Sequence, residues 1–491
     1  MSAHVERKYY ARPIPRGGYR ETVRMRIVDL IIVFYWLLVL EGALRKWGLP
    51  QLHQVMFFIR VPVVFACYWL ALQNGRWPRT SIPIFSCYLI GISATILVPL
   101  QLIAGSYGQP YIILAGYGWL NYFFYIPLAF IIADHFQAKD IERLTRHAAW
   151  LAVASAPLVV LQFFSPPGSV LNSGSGLDDS DRFASVGAAL GYVRPSGLFT
   201  STAGLAHFLA STTALLIAAL LAKNGTQNKK PYLMWMGIGA IAVMTAFSQS
   251  RTVFFMLALV LIATALAGIV ANRRKVLLRS VILPIALVAA LAVLWPLAFP
   301  ESFSAFSERW NRAMDNESST FEFGVFGRAF YAFYGFSYHL ADTPLIGYLL
   351  GLGTNAARQL NWVEMPTAAL EWQGYGAWAE DGWSRHIIEL GPLLGIGYIG
   401  LRLFLTLWLA SHAARTARRF GNITAAVLFG YVGIVLLIGQ ITGQGTINGF
   451  VWFFTGVCAA AARMSALSST RLTSTSSAPK IFSRKVGAHV R

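Results

Sequence analysis

The sequence predicts an all-α polytopic membrane protein, about twelve transmembrane helices with one large external loop containing short helices. Two observations carry this prediction. The 491 residues are 56% hydrophobic and only 12% charged, whereas a soluble domain averages roughly a quarter charged residues. Apolar runs of about twenty residues, the helical length that crosses a bilayer core, recur along nearly the whole chain. The alternating ten-residue segments of an outer-membrane barrel are absent. Cys67, Cys87 and Cys458 all fall within apolar runs, which excludes a disulfide framework or a thiolate metal site.

In chain order, a basic tail, 1–26, carries Arg7, Lys8, Arg12, Arg16, Arg20, Arg24 and Arg26. No short apolar segment with a small-residue cleavage site precedes the first span, which is expected to remain as an anchor. Predicted spans follow at 27–44, 55–73, 82–104, 110–133, 147–164, 203–222, 231–248, 252–271 and 278–298, together the block 27–298. The external loop is 299–386, and spans at 387–410, 421–441 and 447–463 form a second block, 387–463. Alternate connections are basic, with Arg76 and Arg79, then Lys139, Arg143 and Arg146, then Lys223, Lys229 and Lys230. Arg273, Arg274, Lys275 and Arg279 continue the pattern, and Arg415, Arg418 and Arg419 complete it. The positive-inside rule puts these connections and both termini in the cytoplasm. The 40 basic residues against 21 acidic ones therefore reflect loop polarity, and nucleic acid is not an expected partner. The tail 464–491 is rich in Ser and Thr with few large apolar residues, a composition that predicts a disordered cytoplasmic segment.

On the opposite side, the stretch from Glu301 to Glu389 holds eleven carboxylates, interleaved with aromatics as in "EWQGYGAWAEDGW". Rings beside carboxylates suit carbohydrate, whose apolar faces stack while its hydroxyls bond to acids; an interfacial aromatic belt gives the same composition. Span parity makes Arg194, in "RPSGLF", and Arg251, in "SQSRTVFF", external and at the hydrocarbon edge. A boundary arginine can snorkel to phospholipid head groups, whereas a pair offers two planar forks to phosphate oxygens. Both are flanked by Ser, Thr and Gly, which favours a clamp for an anionic lipid head group. Where the loop meets the tenth span, Glu380, Asp381, Arg385 and His386 cluster around Trp383. One of them is placed to act as a general base, and the same charges would equally cap the helix. Arg328, Arg385 and Trp383 are the candidate contacts to glycan or acceptor.

Three elements in order, "RPSGLF", "SQSRTVFF" and a loop with "TPLIGYLLGLG" ending in "ELGPLLG", resemble the O-antigen ligase and O-antigen polymerase superfamily of bacterial inner-membrane glycosyltransferases. The resemblance covers roughly residues 110–440 and rests on the joint order of short motifs. It implies an undecaprenyl-pyrophosphate-linked glycan donor, a glycan or lipid acceptor among membrane lipids, and chemistry at the periplasmic face without a metal or other cofactor. It also implies that Arg194 and Arg251 bind the pyrophosphate. Ligases of this family carry His-Asn near the loop end, with GxxG further on. Counted back from Glu389 and Gly391, that register falls on Glu380 and Asp381; counted back from "GYIG" (Gly397 to Gly400), it falls on His386 and Ile387. The "ELG" anchor favours the first.

The imperfect ligase pattern makes polymerisation of O-antigen or exopolysaccharide repeat units the better expectation, ahead of ligation to lipid A core. Arg194 and Arg251 would stabilise the departing pyrophosphate, and Glu380 or His386, with Asp381 as a further candidate, would take the acceptor's proton. A transporter or flippase of lipid-linked glycans is the contrasting class. Against it, ionisable groups near span centres are few, Glu41 and Arg60 being exceptions near span ends, and no repeat of Gly- or Pro-broken spans relates the two halves.

Overall fold

A computed structural model describes residues 18–53, 55–78, 81–104, 116–173, 190–222, 231–317, 325–341, 343 and 381–476. The regular structure among these residues is helical, with no strand. The first block comprises α1 (Gly18–Ala43), α2 (Val61–Gln73), α3 (Ile82–Ala104), α4 (Ile126–His135) and α5 (Ala138–Phe164), then α6 (Thr202–Leu221), α7 (Pro231–Phe247), α8 (Arg251–Ala271) and α9 (Arg274–Ala298). Two helices come from the loop region, α10 (Pro300–Glu317) and α11 (Val325–Tyr334), followed by α12 (Gly382–Phe420), α13 (Thr424–Ile438) and α14 (Gly445–Ser476).

Among the described residues, nine helices are long and apolar enough to cross a membrane, and three shorter apolar helices lie at Ile82–Ile96, Pro231–Phe247 and Thr424–Ile438. Each predicted span overlaps one of these, and the long apolar helices make the protein a membrane-embedded helical bundle. Several edges differ from expectation: α1 starts at Gly18, inside the predicted tail 1–26, and α5 at Ala138, ahead of the predicted 147. Helix α12 starts at Gly382, inside the predicted loop 299–386, because Asp381 caps it by accepting the Ser384 N–H at 2.7 Å. Helix α14 runs on to Ser476, into the predicted disordered tail, each residue adding one hydrogen bond to a helix nucleated within the bundle.

Helix α6 and the Gly445–Met464 part of α14 lie at the centre, largely buried, while α9 lies at the periphery with Ile282, Ile285, Val288 and Val293 exposed. Where α14 crosses α4, a Cβ on Gly456 would stand 2.5 Å from the Ala129 carbonyl oxygen. Only a small residue lets those backbones meet. Cys67, Cys87 and Cys458 are buried free thiols.

The ends of the bundle are chemically distinct. At one, Arg24 Nη1 bonds Asp140 Oδ2 at 2.6 Å and the His135 carbonyl at 3.0 Å, and Arg463 Nη2 bonds the Phe136 carbonyl at 2.7 Å. The N-terminal segment, the α4–α5 connection and the C-terminal part of α14 thus share one end, as alternating basic connections require. The other end gathers Glu41, Arg60, Ser196, Arg385 and Gly445.

Helix α12 is not one rod. Gly391 has φ 80° and ψ 163°, outside the helical region and reachable in practice only by glycine. Pro392 follows, suited to a helix's first turn because its missing N–H has no partner there. On a straight helix, Gly395 would lie about 14 Å beyond His386. Instead, a Cβ on Gly395 would sit 2.7 Å from the His386 carbonyl oxygen. Residues 382–390 therefore fold back as a half-helix along the start of the long segment 392–420.

Candidate functional site

The two sequence-predicted arginines meet at a short turn. The chain leaves α7 at Phe247 and re-enters helix at Arg251 through Ser248, Gln249 and Ser250. Gln249 takes a left-handed φ of 52°, a strained conformation for a residue with a side chain. Its side-chain Nε2 donates to the Ser302 carbonyl at 3.0 Å, and its own carbonyl accepts from Arg309 Nη1 at 2.9 Å. Helix α10 is thereby pinned on the turn, bringing Arg309 beside Arg251. Arg194 reaches the same turn from the α5–α6 connection, its Nη2 lying 3.4 Å from Ser250 Oγ. Gly197, three residues on, has φ 61°. Its N–H donates to Gln162 Oε1 at 2.8 Å, and its carbonyl accepts from Lys46 Nζ at 2.8 Å. Burial, then the charges of Arg309 and Arg251, bring the Arg194 guanidinium down to about 10. Burial and Arg251 lower Arg309 as well. Like charges held this close favour an anion between them.

A second basic group adjoins the first. A single π-helical turn, Leu44–Gly48, follows α1 and carries Arg45 and Lys46 into the interior. Arg60 Nε pairs with Glu41 Oε2 at 2.7 Å while its Nη1 donates to the Gly445 carbonyl at 3.0 Å. Arg45 Nη1 lies 3.6 Å from Glu41 Oε1, and its guanidinium covers the Phe57 ring at 3.4 Å. Lys46 Nζ also donates to Ser196 Oγ at 3.1 Å. These side chains tie the "RPSG" segment to the α13–α14 connection.

The third element is the α12 half-helix. Arg402, in the long segment, donates through Nε to the Leu436 carbonyl at 2.8 Å and through Nη2 to the Val435 and Gly439 carbonyls at 3.2 and 2.6 Å. Those carbonyls lie at the C-terminal end of α13, where a cation is favoured. Its Nη1 lies 2.7 Å from His386 Nε2, sixteen residues earlier in sequence. His386 Nδ1 lies 3.1 Å from the Tyr122 hydroxyl, which is 2.5 Å from Glu389 Oε2. All four side chains are buried.

Of the predicted residues, Asp381 is the helix cap described above, its other oxygen, Oδ2, buried without a hydrogen-bond partner among the described residues. Arg385 is buried against the α13–α14 connection, where a Cβ on Gly443 would overlap its guanidinium. Trp383 donates its indole N–H to the Leu437 carbonyl at 2.7 Å and packs its ring against Phe333 and Phe336. Arg328 belongs to α11, but its side chain lies outside the described residues, as do all of Glu380 and the glycine-rich turn from Pro344 to Gly353. Sequence reasoning missed Arg402, Tyr122, Arg309, Arg45 and Lys46. It treated Glu389 only as an anchor for register. A lone arginine inside a span was the available signal for Arg402. No family model matches the chain, and no curated protein matches it either.

Proposed function

We propose that this chain is a glycosyltransferase of the bacterial inner membrane that polymerises undecaprenyl-pyrophosphate-linked oligosaccharide repeat units at the periplasmic face. All twelve apolar helices cross the bilayer, and both termini are cytoplasmic. The observation that carries the reading is the turn at Ser248–Ser250, where Arg194, Arg251 and Arg309 converge from three elements. Three guanidiniums at a membrane edge, drawn from a part of the chain where the loop rule disfavours cations, fit a lipid-linked pyrophosphate. The acceptor hydroxyl displaces pyrophosphate at the anomeric carbon. Charge-assisted bonds from the arginines strengthen as charge develops on the leaving phosphate, so they lower the barrier as well as bind the donor. The proton acceptor comes from the carboxylates and histidine at the start of α12, on the same end of the bundle. Transfer to lipid A core uses the same geometry with a different acceptor.

A buried ionisable chain beside a broken helix is also what a transporter of lipid-linked glycan would use. Proteoliposomes separate the classes. The purified protein, given lipid-linked oligosaccharide extracted from its source cells, should produce longer glycan or a new conjugate. Translocation of the lipid with no covalent product would overturn the transferase reading.

A further inference from the structure

We infer that Glu389 is the base that takes the acceptor's proton, with Arg402, His386 and Tyr122 acting as positioning residues that orient its carboxylate. This rests on the transferase reading above and names the base which that reading leaves open. A guanidinium has only donors, so His386 Nε2, 2.7 Å from Arg402 Nη1, must accept. A neutral imidazole that accepts at Nε2 carries its proton on Nδ1, which therefore donates to the Tyr122 hydroxyl at 3.1 Å. The tyrosine, having accepted, donates to Glu389 Oε2 at 2.5 Å. Arg402 thus fixes every direction in the chain, and the chain ends on a carboxylate.

The consequence is selective. Both ring nitrogens of His386 are engaged, so the imidazole has no lone pair left for the acceptor's proton. Glu389 Oε1, by contrast, is buried without a hydrogen-bond partner among the described residues. Asp381 also has one such oxygen, but its other oxygen caps the half-helix and no positioning chain reaches it among the described residues. In the step, the acceptor O–H bond breaks and its proton passes to Glu389 Oε1. The acceptor oxygen bonds the anomeric carbon, and the carbon–oxygen bond to pyrophosphate breaks with its electron pair remaining on phosphate. The proton then leaves Glu389 to solvent, which restores the carboxylate.

The test uses the full-length chain in proteoliposomes, with undecaprenyl-pyrophosphate-linked oligosaccharide from the source cells as the probe. Glycan elongation, equilibrium donor binding and the pH–rate profile are measured. Glu389→Gln should cut turnover by about 10²- to 10⁴-fold with donor binding retained, and the residual rate should lack the wild-type acid limb. Tyr122→Phe should lower turnover about tenfold and displace that limb. A merely structural tyrosine would change thermal stability and leave the limb in place. If Glu389→Gln does not fold, Tyr122→Phe decides, and an undisplaced limb overturns the inference. Wild-type turnover by Glu389→Gln overturns the inference alone, and loss in Asp381→Asn would then identify the base. Absence of product with the wild-type chain overturns the transferase reading, and the inference falls with it.

Discussion

Arg402 shows how one side chain can be both expensive and necessary. It lies about 15 Å along the helix from Pro392, in a segment where an unpaired guanidinium would not be tolerated. Its Nε and both terminal nitrogens bond three carbonyls of the α13 terminus and one imidazole nitrogen. Arg402→Met fills similar volume but removes the donors to the Leu436 carbonyl and to His386 Nε2, while the Val435 and Gly439 carbonyls keep backbone donors, a loss on the order of 1–3 kcal/mol. A clear drop in the detergent-solubilised melting temperature is the expected outcome, and an unchanged melting temperature would show that the α13 terminus does not need the cation. Arg194 behaves differently because it is only partly enclosed. Its guanidinium, lowered to about 10, is fully charged below that value and loses charge as pH rises through it. Donor affinity, measured by equilibrium binding of the lipid-linked glycan, should therefore be flat between about pH 6 and 8 and weaken as pH approaches about 10. Titration of affinity near neutrality would point to a different binding group.

At the scale of elements, the reversal at Gly391 assembles the site. It lays His386 against the long segment and leaves Glu389 beside Tyr122. Gly391→Ala forces a side chain into backbone geometry that carries a penalty of roughly 1–3 kcal/mol. Turnover should fall at least tenfold with membrane insertion and expression unchanged, measured as product per folded protein; full activity would mean the half-helix position is not critical. This element was the least legible part of the chain. The span positions were readable because an apolar run of bilayer length is a local property. The reversal was not, because 387–410 is apolar on both sides of Gly391, and hydropathy cannot distinguish a rod from a hairpin. The Gly391–Pro392 pair was the turn signal available. Arg194 and Arg251 could be singled out because each breaks the loop-charge rule in its own neighbourhood. Tyr122 and Arg402 were not, since their meaning comes from contacts across 264 residues to His386 in one case and to a neighbouring helix terminus in the other.

Across the whole molecule, charge is sorted by end. Arg24, Asp140 and Arg463 hold one end together, while Arg194, Arg251 and Arg309 gather at the other with the Glu41–Arg60 pair and the α12 half-helix. The arginines come from the α5–α6 connection, the start of α8 and the loop helix α10, so only the assembled bundle brings them together. A snorkelling arginine needs nothing but positive charge at the interface, whereas a pyrophosphate ligand needs the planar two-pronged fork that lysine lacks. The most direct measurement is therefore a double-mutant cycle of glycan elongation in proteoliposomes with Arg194→Lys, Arg251→Lys and the pair, melting temperature serving as the control. Pyrophosphate stabilisation predicts a loss of about 3 kcal/mol, on the order of a hundredfold, in each single variant and a combined loss that is less than additive, with melting temperatures unchanged. Full elongation activity in both lysine variants would contradict it and reduce the pair to membrane anchors.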